Sequence, residues 1–237
     1  MVRSTPAGDL LRTLSHELRT PLNGIIGYAQ LLLRDKTLNP RQVTGISAIL
    51  ESGDQLLALI NNLVDLARAE AGEAEIIMAE VSLRGLVVGV VDAVRARATQ
   101  KGLEVRSEVA PEMPQEIRVD DRRLRQVLLN LLENAVKFTE HGRVVLQVAQ
   151  ARPGSLSFSV QDTGRGIAAS RLDNIFRPFG RVPGDATRVK DGGLGLALCR
   201  EFVRLMGGEL RVSSELGVGS TFEFTIDSPN PCGDGGQ

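Results

Sequence analysis

Asp120-Asp-Arg-Arg-Leu-Arg-Gln-Val-Leu-Leu-Asn-Leu-Leu-Glu-Asn-Ala-Val-Lys-Phe138 reads as one long helix with a polar interruption. Asp120 is its expected N-cap, because a short carboxylate satisfies an N–H that the first turn leaves unpaired. From Val127 to Ala135 nearly everything is apolar except Asn130 and Asn134, spaced i, i+4. That spacing puts both amides on one face, and Lys137, three residues on, shares it. Asparagines on a helix are usually surface decoration, but among leucines they mark a polar cavity. Amide oxygens suit Mg²⁺, and an ammonium neutralises phosphate charge.

Around this helix, Val-rich and helical segments are mixed without regular βαβ alternation, which predicts an α+β sandwich. Upstream, a short linker (Ala71 to Ala79) runs into a first strand, followed by a helix from about Ser82 to Thr99 and a strand from Leu103 to Val109. Downstream, strands are expected at Arg143–Ala149 and Leu156–Gln161, joined by an Arg-Pro-Gly-Ser turn. A last helix near Leu194–Met206 precedes strands at Glu209–Ser213 and Thr221–Ile226. Asp162-Thr-Gly-Arg-Gly-Ile167 follows one strand end directly, and a carboxylate beside Gly164 and Gly166 suits an adenine amine, although a plain turn has the same composition. Asp191-Gly-Gly-Leu-Gly-Leu196 opens the last helix, where N–H groups and the dipole favour an anion. It matches neither a Walker loop nor the dinucleotide fingerprint. Gly180 to Lys190 reads as a mobile flap carrying Arg181, Arg188 and Lys190, and Gly217-Val-Gly-Ser-Thr221 as a turn entering the last strand.

The N-terminal third is different. Leu11, Leu14, Leu18, Leu22, Ile25, Ala29 and Leu32 recur every three or four residues. After a break at Asp35 to Pro40, Val43, Ile46, Leu50, Leu57, Ile60, Val64 and Ala67 repeat the pattern. This predicts a helical hairpin with arms of about 40 Å at ~1.5 Å per residue. A lone hairpin cannot enclose its apolar stripe, so a homodimeric four-helix bundle is expected, against the competing reading of a hairpin packed on its own chain. Within it, Ser15-His16-Glu17-Leu18-Arg19-Thr20-Pro21 places a histidine off the apolar stripe and beside a carboxylate, in a turn that Pro21 loosens. Such an imidazole is available as a nucleophile, one nitrogen held by Glu17 and the other free.

Composition closes off other classes. With hydrophobic content of 42% and charged content of 24%, the chain can fold a core, which excludes disorder for its bulk. The net charge of −1 argues against a general nucleic-acid binder. No apolar run is read as reaching the ~18–20 residues of a membrane helix, and no secretory leader is visible. Cys199 and Cys232 have neither metal nor redox spacing. A soluble cytoplasmic protein, or the cytosolic part of a longer membrane-anchored one, is expected.

Taken in order, these stretches resemble the sensor histidine kinases of two-component systems. Ser15 to Leu22 is similar to their phosphoacceptor box, and Asn130-x-x-x-Asn134-Ala-x-Lys137-Phe138-Thr139 to their asparagine box. Asp162-x-Gly164-x-Gly166 resembles the first glycine box, and Phe176-x-Pro178-Phe179 the phenylalanine box. Gly193-Leu194-Gly195-Leu196 resembles the second glycine box, and Gly217-x-Gly219-Ser-Thr221 the third. The resemblance implies a dimerization and phosphotransfer hairpin over residues 1–71, a linker at 72–79, a Bergerat-type ATP-binding domain at 80–227 and a flexible tail at 228–237. It implies that His16 takes the γ-phosphoryl group of ATP and passes it to an Asp on a response-regulator receiver domain. Glu17 would be general base, and Thr20 would serve receiver dephosphorylation. Asn134 with Asn130 would hold Mg²⁺, Asp162 would read the adenine amine, and Lys137 and Arg181 would meet phosphate oxygens. Phe138, Gly164, Gly166, Ile167, Phe179, Gly193, Leu194, Gly195, Leu196 and Thr221 would complete the nucleotide site.

Two departures are visible. Asn130 stands where hydrolytic members of the wider superfamily carry Glu, which disfavours attack by water. Arg177 replaces the acid usual in the phenylalanine box. Leu22-Asn-Gly-Ile-Ile-Gly-Tyr-Ala29 resembles the version common in hybrid kinases. An upstream sensor domain is not in the chain as given. The alternatives are a phosphatase-dominant bifunctional core and a nucleotide-binding scaffold that transfers nothing.

Overall fold

The structure is a computed structural model that describes residues 6–179 and 193–228; side chains at 6–14 and 16 lie outside it. The described residues form two units, one of residues 6–74 with 193–195, the other of residues 75–179 with 196–228.

In the first unit, helix α1 (Pro6–Leu32) runs unbroken through Pro21. Its C-terminal carbonyls are taken up by a tight turn, with Asp35 accepting from Thr37 N–H and hydroxyl at 2.8 and 2.7 Å. Helix α2 (Pro40–Glu70) starts at a capping box: Asn39 accepts from Gln42 N–H and the Gln42 side chain accepts from Asn39 N–H. Proline at the first helical position costs nothing, since its N–H would be unpaired there anyway. The seam between the arms is narrow. Leu22, Ile26, Ala29, Leu66 and Ala69 are buried, and Gly53 lies so close to Ile26 that a β-carbon there would stand 2.8 Å from its Cγ1. Arg19 donates to the Asn61 side chain at 2.8 Å.

The seam corrects the expected stripe. Leu18, Ile25 and Leu32 are each about half exposed, while Ile26 takes the inner place. Tyr28, Leu31, Ile49 and Leu56 are exposed as well. Each arm therefore has two apolar sides, and periodicity alone averages them into one. Helix α2 is also long and apolar enough to cross a membrane by length and composition, which the sequence reading had not registered.

The second unit begins with β1 (Ala79–Ser82), then α3 (Leu83–Gln100), β2 (Glu104–Val109), β3 (Glu116–Val119) and α4 (Asp121–Phe138). It continues with β4 (Arg143–Arg152), β5 (Ser155–Asp162), the single turn α5 (Ala169–Leu172), α6 (Gly195–Leu205), β6 (Leu210–Glu215) and β7 (Gly219–Asp227). Strand β3 and helix α5 are additions to the sequence reading; each is four residues long, too short to show a period. β1 and β3 pair antiparallel as a separate ribbon. The main sheet has the order β2-β4-β5-β7-β6, with β2 and β4 parallel and the other neighbours antiparallel.

One face of this sheet is apolar. Val144, Leu146, Val148, Leu156, Phe158, Val160, Phe222 and Phe224 are buried together with the inner sides of α3, α4 and α6. Phe158 and Phe224 stack with centroids 5.1 Å apart. Each such buried side chain contributes about 1.5–3 kcal/mol. The opposite face is polar, with Gln147 donating to Glu108 and Ser157 to Glu223. The result is a two-layer α/β sandwich.

Candidate functional site

Helix α4 is fixed at both ends. Asp120 caps it by accepting from Arg123 N–H at 3.0 Å, and its other oxygen accepts from Ile77 N–H and Arg123 Nε. The Arg123 guanidinium also donates to Glu75 O and lies over the Phe202 ring. Residues 75–77 are thus tied to the second unit. Between these ends α4 turns Leu124, Val127, Leu128, Leu131 and Leu132 inward and holds Asn130, Asn134, Lys137 and Phe138 half-buried on its flank.

Cys199 of α6 is fully buried and donates to Val127 O at 3.8 Å, tying α6 to α4. Burial pushes its thiol up to about 12, opposed by a hydrogen bond from the Asn130 side chain. It is a core residue, inert as a thiolate at neutral pH.

Asp162 ends β5 as a buried carboxylate. Burial raises its pKa above the ordinary 3.8, while hydrogen bonds from Gly164 N–H and Ser220 N–H pull the other way. The Gly164 bond is 2.8 Å. At its two glycines the loop after it has no room for a side chain. A β-carbon at Gly164 would stand 2.6 Å from Phe138 O, and Gly166, at φ +66°, lies against the Glu215 carbonyl. Arg165 N–H donates to Phe138 O, Arg165 O accepts from Gly217 N–H, and the Arg165 guanidinium lies 4.6 Å from the Phe138 ring centroid. Lys137 Nζ approaches the same ring at 4.9 Å.

The structure brings Ser220, not Thr221, to Asp162: the two are paired in the β5–β7 register. Thr221 pairs with Gln161 and Ser213, one step along, where side chains point to the other face. Ser220, which stands inside the Gly217–Thr221 motif, and Ser214, which belongs to no motif, organise this corner. Ser214 Oγ donates to Gly219 O at 2.8 Å, accepts from Ile167 N–H at 2.8 Å and bonds Ser220 Oγ at 2.9 Å. Only register links Ser214 to Ser220, so no spacing rule could have found the pair.

The remaining candidates divide. Gly193, at φ +67°, buried Leu194 and then Gly195 and Leu196 lead into α6. Phe179 is exposed at φ +58°. Arg181 lies outside the described residues. Glu17 and Thr20 are exposed on α1; His16 lies within the same helix, its side chain outside the described residues.

The corner therefore offers a buried acceptor at a strand end, glycine backbone packed too closely for side chains, and half-buried amides and a cation on the neighbouring helix. This donor set fits a purine amine and a phosphate-bound hard cation. Among the described residues no group of three or more His, Cys, Asp and Glu could hold a metal ion.

Comparison with known proteins decides the family. The His Kinase A (phospho-acceptor) domain matches residues 7–72. The histidine kinase-, DNA gyrase B-, and HSP90-like ATPase family matches residues 119–230. The chain carries the two domains of a sensor histidine kinase catalytic core. It is 38% identical over 228 residues to Hybrid signal transduction histidine kinase B of Dictyostelium discoideum, covering 94% of this chain and 11% of that protein. It is 40% identical over 222 residues to the Autoinducer 2 sensor kinase/phosphatase LuxQ of Vibrio cholerae, covering 92% of this chain and 26% of LuxQ. The crystal structure of full-length ShkA in complex with AMPPNP aligns with TM-score 0.83 and 40% identity, over 97% of this chain and 47% of ShkA. This histidine kinase core thus spans about a tenth of the first curated relative and a quarter of LuxQ. The sandwich is the Bergerat-type fold expected of its ATP-binding part.

Proposed function

We propose that the chain is an ATP-dependent autokinase that phosphorylates His16 and passes the group to an Asp of a receiver domain. The observation that carries the reading is Asp162, a buried carboxylate held by backbone N–H groups at the end of β5. A charge left in such a place needs a partner, and an adenine amine supplies one. Asn130 and Asn134 would hold Mg²⁺, which supplies charge neutralisation on the phosphates when bound. Lys137 and Arg181 would meet phosphate oxygens, and the Gly193–Leu196 stretch would offer N–H groups to them. Ser220, paired with Asp162, joins the adenine side of the site.

At His16 the free imidazole nitrogen attacks the γ-phosphorus of ATP. An N–P bond forms, the bond from phosphorus to the β,γ-bridging oxygen breaks, and ADP leaves. Glu17 holds the other ring N–H and takes up the proton. Asn130, lacking a carboxylate, does not activate water for hydrolysis.

The exposed sides of α1 and α2 support a homodimer in which two hairpins form a four-helix bundle. The segment 72–79 would link the units, with mobility confined to its start because residues 75–77 are bound to α4. The reaction belongs in the cytoplasm, where ATP is found. Thr20 would serve receiver dephosphorylation.

The test is incubation with γ-labelled ATP and Mg²⁺, beside His16→Ala. Label that is lost in acid, survives base and is absent from the variant supports the reading. Bound nucleotide without label would favour a scaffold.

A further inference from the structure

Lys101 stands at the end of α3, yet its ammonium serves the end of α4. A helix leaves its last four carbonyls without helical partners, and each needs a donor. In α4 the outer two are taken by neighbours. Ala135 O accepts from Thr139 N–H at 3.1 Å and from its hydroxyl at 2.7 Å, and Phe138 O accepts from Arg165 N–H at 3.3 Å. The two between go to Lys101, whose Nζ donates to Val136 O at 2.7 Å and Lys137 O at 2.8 Å. Its remaining proton reaches Thr139 O at 3.2 Å. An ammonium has three N–H donors, and all are used.

The position of the lysine is itself fixed. Gly102, at φ +69°, and the bond from Leu103 N–H to Ala98 O close α3, and Glu104 N–H donates to Gly142 O beyond the end of α4. Arg97 and Glu140 are charged neighbours with opposite effects on the ammonium.

From this turn the contacts run on toward the candidate adenine corner. Phe138 O is the surface against which Gly164 is packed and to which Arg165 donates. Gly164 N–H in turn donates to Asp162 Oδ1. We propose that Lys101 is a positioning residue for nucleotide binding: by holding the last turn of α4 it sets the Phe138 carbonyl, and so the Gly164–Arg165 loop and Asp162. This rests on the reading of Asp162 as the group that meets adenine. A lysine that merely capped a helix would stabilise the fold and leave the affinity of the folded protein alone.

The experiment compares the full chain with Lys101→Met and Lys101→Arg. Calorimetric titration with Mg²⁺-ADP gives affinity, and hydrogen exchange without nucleotide reads the Gly164 and Arg165 amides. Lys101→Met is expected to weaken ADP binding about tenfold, the scale of a lost supporting contact. It should also speed exchange at both amides, with Lys101→Arg restoring most of both. Should Lys101→Met fail to fold, Lys101→Gln replaces it, keeping a donor without the charge. Wild-type affinity and wild-type exchange in the folded Met or Gln variant would overturn the proposal. If the wild-type chain binds no ADP, the reading of Asp162 fails instead, and the exchange rates alone decide what Lys101 holds.

Discussion

The hairpin and the sandwich solve burial in opposite ways. The sandwich closes its core within one chain: Phe158, Phe202, Phe224 and a row of leucines are all but inaccessible. The hairpin joins its arms along a seam of Leu22, Ile26, Gly53, Ala29, Leu66 and Ala69, and leaves Ile25, Leu31, Ile49 and Leu56 at least half exposed. A region that depends on another copy for burial can be rearranged by that copy, whereas one with its own core holds a ligand site to fixed geometry. The proposed phosphoacceptor lies on the hairpin, whose burial the proposed second copy would complete, and the candidate nucleotide corner on the self-contained sandwich.

The largest effect should come from the self-contained core. Phe158→Ala removes a fully buried ring stacked on Phe224 and should cost about 3–5 kcal/mol. Chemical denaturation should show that loss at every protein concentration. A loss that shrinks as concentration rises would mean that the sandwich also depends on a partner.

Asp162→Asn should weaken ATP binding by about 2–3 kcal/mol, roughly 30- to 150-fold, through the lost charge-assisted bond. Stability should move the other way. Because burial raises the folded pKa of Asp162, its favourable contribution is present below 3.8 and is lost as pH rises through that raised value. Ionised Asp162 is then a cost to the unliganded fold. Melting curves across pH 4 to 7 should therefore show Asp162→Asn gaining on wild type as pH rises. A variant that loses ground toward pH 7 would contradict the burial argument.

The smallest effect on the sandwich should come from the hairpin. Ile25→Glu puts a charge on the outward face and should turn dimer into monomer by light scattering, while changing the sandwich's stability by no more than about 0.5 kcal/mol. A dimer that survives would move the interface elsewhere.

How much of this was legible follows the same division. Helix α4 could be placed from Asp120 to Phe138 because its cap, apolar run and polar trio agree locally. Strand β3 could not, since Glu116–Val119 gains its place only by pairing with β1. In the hairpin the helices were readable, but Ile26 against Ile25 was not, because two neighbouring apolar sides give one blurred period. The glycines at 164 and 166 signalled a close approach without saying what approached; Phe138 O and Glu215 O came only with the fold. Ser220 was legible only as part of the Gly217–Thr221 turn, without its partner, and Ser214 not at all, because strand register, not spacing, brings them to Asp162 and Ile167.

The division of labour is tested most directly by cutting between the regions. A chain beginning at Glu75, which keeps its tie to Arg123, should fold at any concentration, bind Mg²⁺-ATP like the full chain and take up no label. Adding residues 1–74 as a separate chain should restore acid-labile phosphate, on His16 alone. A fragment from Glu75 that labels itself, or that binds no ATP while folded, would contradict the account.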